Sequence, residues 1–77
     1  RRKELIKIVH NLIEDGRIAI RNIRRDGIQQ LNNFGKDESI SEDIIKDNEV
    51  EIQKITDNSI NKLNTLQENK EKELLVV

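Results

Sequence analysis

The 77-residue sequence contains no cysteine, proline, tryptophan or tyrosine, and its one aromatic residue is Phe34. Without cysteine the chain has no disulfide and no thiolate metal ligand, and it suits a reducing compartment. Without proline, nothing removes a backbone donor from the interior of a helix. Hydrophobic residues make up 34% and charged residues 38% of the chain. That is too polar for an ordinary globular core, but it is typical of long helices with narrow apolar stripes.

Charge is nearly balanced overall but unevenly distributed along the chain. The formal net charge is −1, yet all six arginines lie within residues 1–25, and residues 37–57 are acidic. A local basic field can therefore exist on a nearly neutral molecule. No apolar run approaches the roughly 18 residues of a membrane-spanning helix, and no signal-peptide pattern is present. We therefore expect no membrane partner.

Apolar residues recurring at steps of three and four predict a first helix over about residues 2–34. At about 100° per residue, nine positions fall within a sector about 100° wide, as in an amphipathic helix. These positions are Leu5, Val9, Leu12, Gly16, Ile20, Ile23, Gly27, Leu31 and Phe34. Gly16 and Gly27 each cost such a helix about 1 kcal/mol relative to alanine. We expect a neighbouring helix to approach closely at both; a kink is the alternative.

A turn over about residues 35–40 and a second helix over about residues 41–74 are predicted next. Gly35 can adopt the left-handed conformation that ends a helix. Ser41 is the expected N-cap, because two acidic residues would then occupy the first turn. A capping box that starts at Ser39 is the alternative. The second apolar stripe has nearly heptad spacing and consists of Ile45, Ile52, Ile55, Ser59, Leu63, Leu66 and Leu74.

The short connection makes the two helices antiparallel neighbours, so the predicted fold is all-α, a long antiparallel two-helix hairpin. Two stripes that face each other leave the flanks of both helices uncovered. A pair of helices with a single interface is marginal in water. The hairpin is therefore interpreted as an incomplete three-helix bundle. A third helix or a second copy must complete it, and we expect the isolated chain to self-associate.

Four arginines of the first helix, at positions i, i+4, i+7 and i+8, form the candidate functional site. They are Arg17, Arg21, Arg24 and Arg25. All lie within about 100° of one another beside the apolar stripe, so we expect them to remain in solvent. The planar guanidinium donates paired hydrogen bonds to phosphate and stays charged, which predicts RNA binding. The alternative is a solvated face in which the arginines pair with neighbours such as Asp26 or Gln29.

No residue pattern predicts catalysis, a metal or a cofactor. His10 is the only histidine, whereas a metal site needs three or four converging ligands; we expect it to be exposed or paired. Ser39 and Ser41 lie near acids, but no general base is positioned to activate either hydroxyl. No phosphate loop, dinucleotide motif or calcium loop occurs. The sequence therefore predicts a binding protein and not an enzyme.

Residues 17–26, which read RIAIRNIRRD, resemble the segment R-[VI]-A-[VI]-R-N-[VI]-R-R-D of the ribosome recycling factors. Three further stretches resemble the same family in the same order and spacing, and the match spans essentially the whole chain. These are residues 1–7 (RRKELIK), 40–43 (ISED) and 52–57 (IQKITD).

The resemblance implies that this chain supplies the second and third helices of a three-helix-bundle domain. The first helix and an inserted β-rich domain would lie upstream. It further implies binding to ribosomal RNA of the large subunit, where Arg21 and Arg24 match arginines implicated in that contact. Elongation factor G, met through the absent domain, would then help to split the post-termination ribosome. The implied location is the bacterial cytoplasm, or a mitochondrion or plastid. The alternative function is a helical hairpin that self-associates or binds a partner helix without affinity for RNA.

Overall fold

A computed structural model describes residues 1–76, with side chains described through Leu75. Two helices, α1 over Arg2–Asp37 and α2 over Glu42–Val76, account for nearly all of this part, which contains no strand. They form a hairpin with extents of 57 × 15 × 9 Å. The 36 residues of α1 correspond to about 54 Å at about 1.5 Å per residue, so α1 spans almost the full length of the molecule. The predicted all-α hairpin is confirmed.

The end of α1 lies at Asp37, beyond the predicted end, because Gly35 does not stop the helix. The expected left-handed conformation at Gly35 is wrong: within residues 1–76 no glycine has a positive φ, and Ser39 has a φ of 52°. The Ile40 N–H donates to the Gly35 carbonyl at 2.9 Å, and the Ser39 N–H donates to the Lys36 carbonyl at 3.4 Å. This pair of bonds is the Schellman pattern of helix ends.

The start of α2 depends on Ser41, as predicted. The backbone N–H of Ile44 donates to the Ser41 hydroxyl at 3.4 Å, which satisfies one donor of the first turn. Glu42 and Asp43 occupy that turn, where negative charge is favourable at the positive end of the helix dipole. The alternative capping box is not formed, because Ser39 belongs to the end of α1.

The two helices pack along one narrow line, and most of the apolar stripe on α1 lies beside that line. Within the described residues only Ile13 and Ile45 are buried hydrophobics. None of the nine stripe positions on α1 is buried, and four of them are exposed. Leu12 is 64% exposed and Ile23 is 71% exposed. The hairpin therefore leaves part of the apolar stripe of α1 in contact with water.

The three glycines of α1 have different surroundings. A Cβ at Gly16 would lie 3.2 Å from Leu63 Cδ1, so the expected close approach of α2 is confirmed there. At Gly27 nothing lies within 4 Å of such a Cβ. The expected close approach of a neighbouring helix is therefore wrong at Gly27 in the hairpin. A Cβ at Gly35 would lie 2.6 Å from Ile45 Cδ1. Helix α1 passes through all three positions without a break, so neither Gly16 nor Gly27 interrupts it.

Candidate nucleic-acid interface

The four arginines predicted to bind RNA form what we call the arginine strip, Arg17, Arg21, Arg24 and Arg25, along one side of α1. Because α1 is continuous, its helical periodicity keeps them on that side. The packing line with α2 is displaced towards the strip: Ile13 and Gly35 are buried, and both lie nearer to the strip than to the centre of the apolar sector. Helix α2 therefore covers part of the strip.

Arg17 is the member of the strip that α2 covers, with a side chain only 16% exposed. Its Nε donates to Asn64 Oδ1 at 3.0 Å and its Nη2 donates to the same oxygen at 2.7 Å. Nη2 also donates to Gln67 Oε1, and Nη1 donates to Glu14 Oε2 at 2.9 Å. Four of the five guanidinium N–H groups are thus engaged. The expectation that the whole strip remains in solvent is wrong for Arg17.

These bonds continue into a polar cluster that joins α1 to α2. The Nε2 of Gln67 donates to Glu71 Oε1 at 3.1 Å and lies 2.9 Å from His10 Nδ1. With Gln67 donating, His10 Nδ1 is the acceptor, so the expectation that His10 is exposed or paired is confirmed. Sequence reasoning did not find this cluster, because Asn64 and Gln67 are ordinary surface residue types until α2 is placed against Arg17.

Arg21, Arg24 and Arg25 keep their guanidinium groups available. Arg21 and Arg24 are half-buried and Arg25 is exposed. Across residues 1–76 none of the three makes a side-chain hydrogen bond or an ion pair, so the suggested pairing with Asp26 or Gln29 is not formed. Unpaired guanidinium donors grouped on one rigid helix are suited to an anionic ligand such as a phosphate chain.

An open groove of about 610 Å³ continues the arginine strip towards the turn. Helix α1 contributes six of its lining residues and α2 contributes one. They are Arg24, Arg25, Ile28, Gln29, Asn32, Asn33 and Gln53. Four of the seven carry a side-chain amide and none is acidic. We call this the amide groove. Sequence reasoning missed it, although the amides at steps of three and four after Arg25 were a visible signal.

The opposite side of the hairpin carries an apolar groove of about 350 Å³. Its lining residues come from both helices and are mostly aliphatic or small. They are Ile20, Ile23, Arg24, Gly27, Ile52, Ile55, Thr56 and Ser59.

In the described part of the chain no group of three potential metal ligands converges, and no helix is long and apolar enough to cross a membrane.

These features define a class: an all-α hairpin with a cationic, polar side and an uncovered apolar side. The sequence profile of the family described as "Ribosome recycling factor" matches residues 1–75. The chain is 47% identical over all 77 residues to the ribosome-recycling factor of Xylella fastidiosa (strain 9a5c), covering 42% of that protein. It is 46% identical over 77 residues to the chloroplastic factor of Oryza sativa subsp. japonica, covering 29% of that protein. The chain belongs to the ribosome recycling factor family. It spans less than half the length of these relatives.

Proposed function

We propose that this chain supplies an RNA-binding surface to a ribosome recycling factor and binds ribosomal RNA of the large subunit. The observation that carries the proposal is the group of three guanidinium side chains, Arg21, Arg24 and Arg25, unpaired within residues 1–76 on one side of a continuous helix. Family membership, established over residues 1–75, supports the ribosome as the partner.

In the proposed site the members of the arginine strip have unequal roles. Arg21, Arg24 and Arg25 contact phosphate oxygens, since their donors are available. Arg17 lies in the same strip and adds positive charge, but it bonds to Asn64 and Gln67 and so chiefly holds α2 in register. Arginine contacts to phosphate release counterions, and we therefore expect an affinity that falls as the salt concentration rises.

The proposed role is binding without catalysis by this chain. The family resemblance leads us to propose that GTP hydrolysis by elongation factor G drives the splitting of post-termination ribosomes. In this scheme the factor meets elongation factor G through a domain outside these 77 residues. Relatives named from bacteria and from chloroplasts support two proposed settings, the bacterial cytoplasm and an organelle with bacterial-type ribosomes.

Co-sedimentation with isolated large ribosomal subunits over a series of salt concentrations tests the proposal. Each lost phosphate contact lowers the salt slope by about 0.9, so Arg21→Ala with Arg24→Ala should lower it by about two and weaken binding. The matched control is Lys62→Ala with Lys72→Ala, which removes equal charge from exposed positions on α2. Binding by the arginine variant equal to that by the lysine variant would overturn the assigned roles.

The apolar side supports a second candidate function, helix association. We propose that the apolar groove receives another helix of the bundle in a full-length factor and a second copy of this chain in isolation. Ile23 and Ile55, which line the groove, are 71% and 65% exposed. Burial of the remaining exposed area favours association by at most about 1.5–3 kcal/mol for each side chain, against the entropic cost of bringing two molecules together. If the hairpin associated but had no affinity for ribosomal RNA, this function would replace the first.

Sedimentation velocity of the isolated chain tests the association. Ile23→Glu should shift the 77-residue chain towards monomer, because it places a charge in the groove. Ile18→Glu is the control: the same substitution, on the same helix, at a residue that is also exposed (48%) but lies outside the apolar groove. A chain that is already a compact monomer at high concentration would contradict the proposal.

A further inference from the structure

The amide groove differs in chemistry from the rest of the arginine strip. Cationic side chains bind phosphate most strongly, and Arg24 and Arg25 supply them at one end of the groove. Side-chain amides are not required for that task. An amide presents a donor and an acceptor side by side, and a base edge can use both, whereas a phosphate can use only the donor.

The placement of the amides fits a single nucleotide unit. From Arg24 to Asn32 the helix rises about 12 Å, and Gln53 lines the groove from α2. Ile28 is half-buried and contributes apolar surface to the groove. The groove volume of about 610 Å³ lies in the range of small-molecule sites, about 300–1,000 Å³.

Gln53 is also oriented by a neighbour. Its Nε2 donates to Asp57 Oδ1 at 2.9 Å, which leaves its carbonyl oxygen and its second N–H for a ligand. Gln29 is exposed and makes no side-chain hydrogen bond within residues 1–76. The groove therefore offers at least two amides whose donor and acceptor are both available.

We infer that the amide groove binds an unstacked adenine nucleotide of single-stranded RNA, with its phosphate on Arg24 and Arg25. Asparagine and glutamine commonly recognise adenine, because its N7 accepts and its N6 amino group donates in the geometry of a single amide. Single-stranded loops and bulges are where RNA exposes such base edges. The inference rests on the proposed RNA-binding function and adds to it a preference for one base.

Fluorescence anisotropy with short labelled RNAs tests the inference on the 77-residue chain. The probes are an oligouridine and two derivatives carrying adenine or guanine at the centre. The wild type should bind the adenine probe at least roughly fivefold tighter than oligouridine. Gln53→Met and Gln29→Met, which keep side-chain length but remove the amide, should each reduce this ratio and leave oligouridine binding unchanged.

Gln30→Met is the matched control, because Gln30 is exposed on α1 but does not line the groove; it should keep the adenine preference. Arg24→Ala should weaken binding to all three probes. Equal binding of the three probes by the wild type, a guanine preference, or an adenine preference retained in both glutamine variants would overturn the inference while leaving the proposed function intact. No binding to any probe or to large subunits would overturn both.

Discussion

Alanine substitutions at the three glycines of α1 should have effects of different sign, although all three residues lie in the same helix. Replacing glycine by alanine inside a helix stabilises the folded state by about 1 kcal/mol. At Gly27 an added Cβ meets nothing within 4 Å, so the full gain is expected for the monomer. For a domain of this size, that gain corresponds to a rise in Tm of about 4–8 °C.

At Gly35 the same methyl group would lie 2.6 Å from Ile45 Cδ1 and 2.9 Å from Ile45 Cγ1. Ile45 is only 9% exposed and has little room to move. Overpacking of this kind costs about 1–3 kcal/mol, which outweighs or cancels the helix gain. Gly16 is intermediate, because its Cβ would lie 3.2 Å from Leu63 Cδ1 and 3.9 Å from Leu63 Cδ2, and Leu63 is half-buried. We expect the stability order Gly27→Ala, then Gly16→Ala, then Gly35→Ala.

Urea unfolding followed by circular dichroism, at a concentration where sedimentation gives a monomer, measures these differences. A Gly35→Ala protein as stable as Gly27→Ala would refute the packing of α1 on α2 at the turn. The same variants also report on the apolar groove. Gly27 lines it, so a methyl group there should weaken self-association while stabilising the monomer. Stronger self-association of Gly27→Ala would contradict a helix seated against that glycine.

Two further substitutions test local features in the same unfolding assay. Ser39→Gly should stabilise the chain by about 1 kcal/mol, because Ser39 has a φ of 52° and glycine adopts that conformation without strain; a loss of stability would argue against the turn described. Arg17→Met should destabilise it by about 1–2 kcal/mol, because two amide oxygens of α2 lose their donors. Arg25→Met, at an exposed position, should change stability by less than about 0.5 kcal/mol; equal effects at the two arginines would contradict the polar cluster.

The hairpin could be predicted from sequence because its determinants are local. Apolar spacing indicated both helices, and the hydroxyl of Ser41 followed by two acids indicated the start of α2. The end of α1 was harder to predict from the sequence. A glycine at position 35 can serve either as a left-handed helix cap or as a site of close packing. Only the position of Ile45 against Gly35 shows that close packing is its role. Ser39 is then left to take the positive φ, against the preference of its residue type.

Which side of each helix would be buried could not be predicted, because the apolar sector is wider than one partner helix covers. On α2 the stripe favoured Ile55, yet Ile55 is 65% exposed and Thr56 beside it is 5% exposed. Burial of Thr56 is possible because its hydroxyl donates to the Ile52 carbonyl at 2.8 Å. A hydroxyl that is hydrogen-bonded within its own helix costs little to bury. Apolar periodicity alone therefore predicted burial of Ile55 and not of Thr56.

The displacement of α2 towards the arginine strip connects these observations. Had α2 packed on the centre of the apolar sector, it would have covered Ile23 and left all four arginines in water. By packing to one side it engages Arg17 through Asn64 and Gln67 and leaves the opposite side apolar and open. The polar bonds of Arg17 are directional, whereas apolar contact is not. The bonds of Arg17 therefore favour packing of α2 on this side, and that packing leaves the apolar groove uncovered.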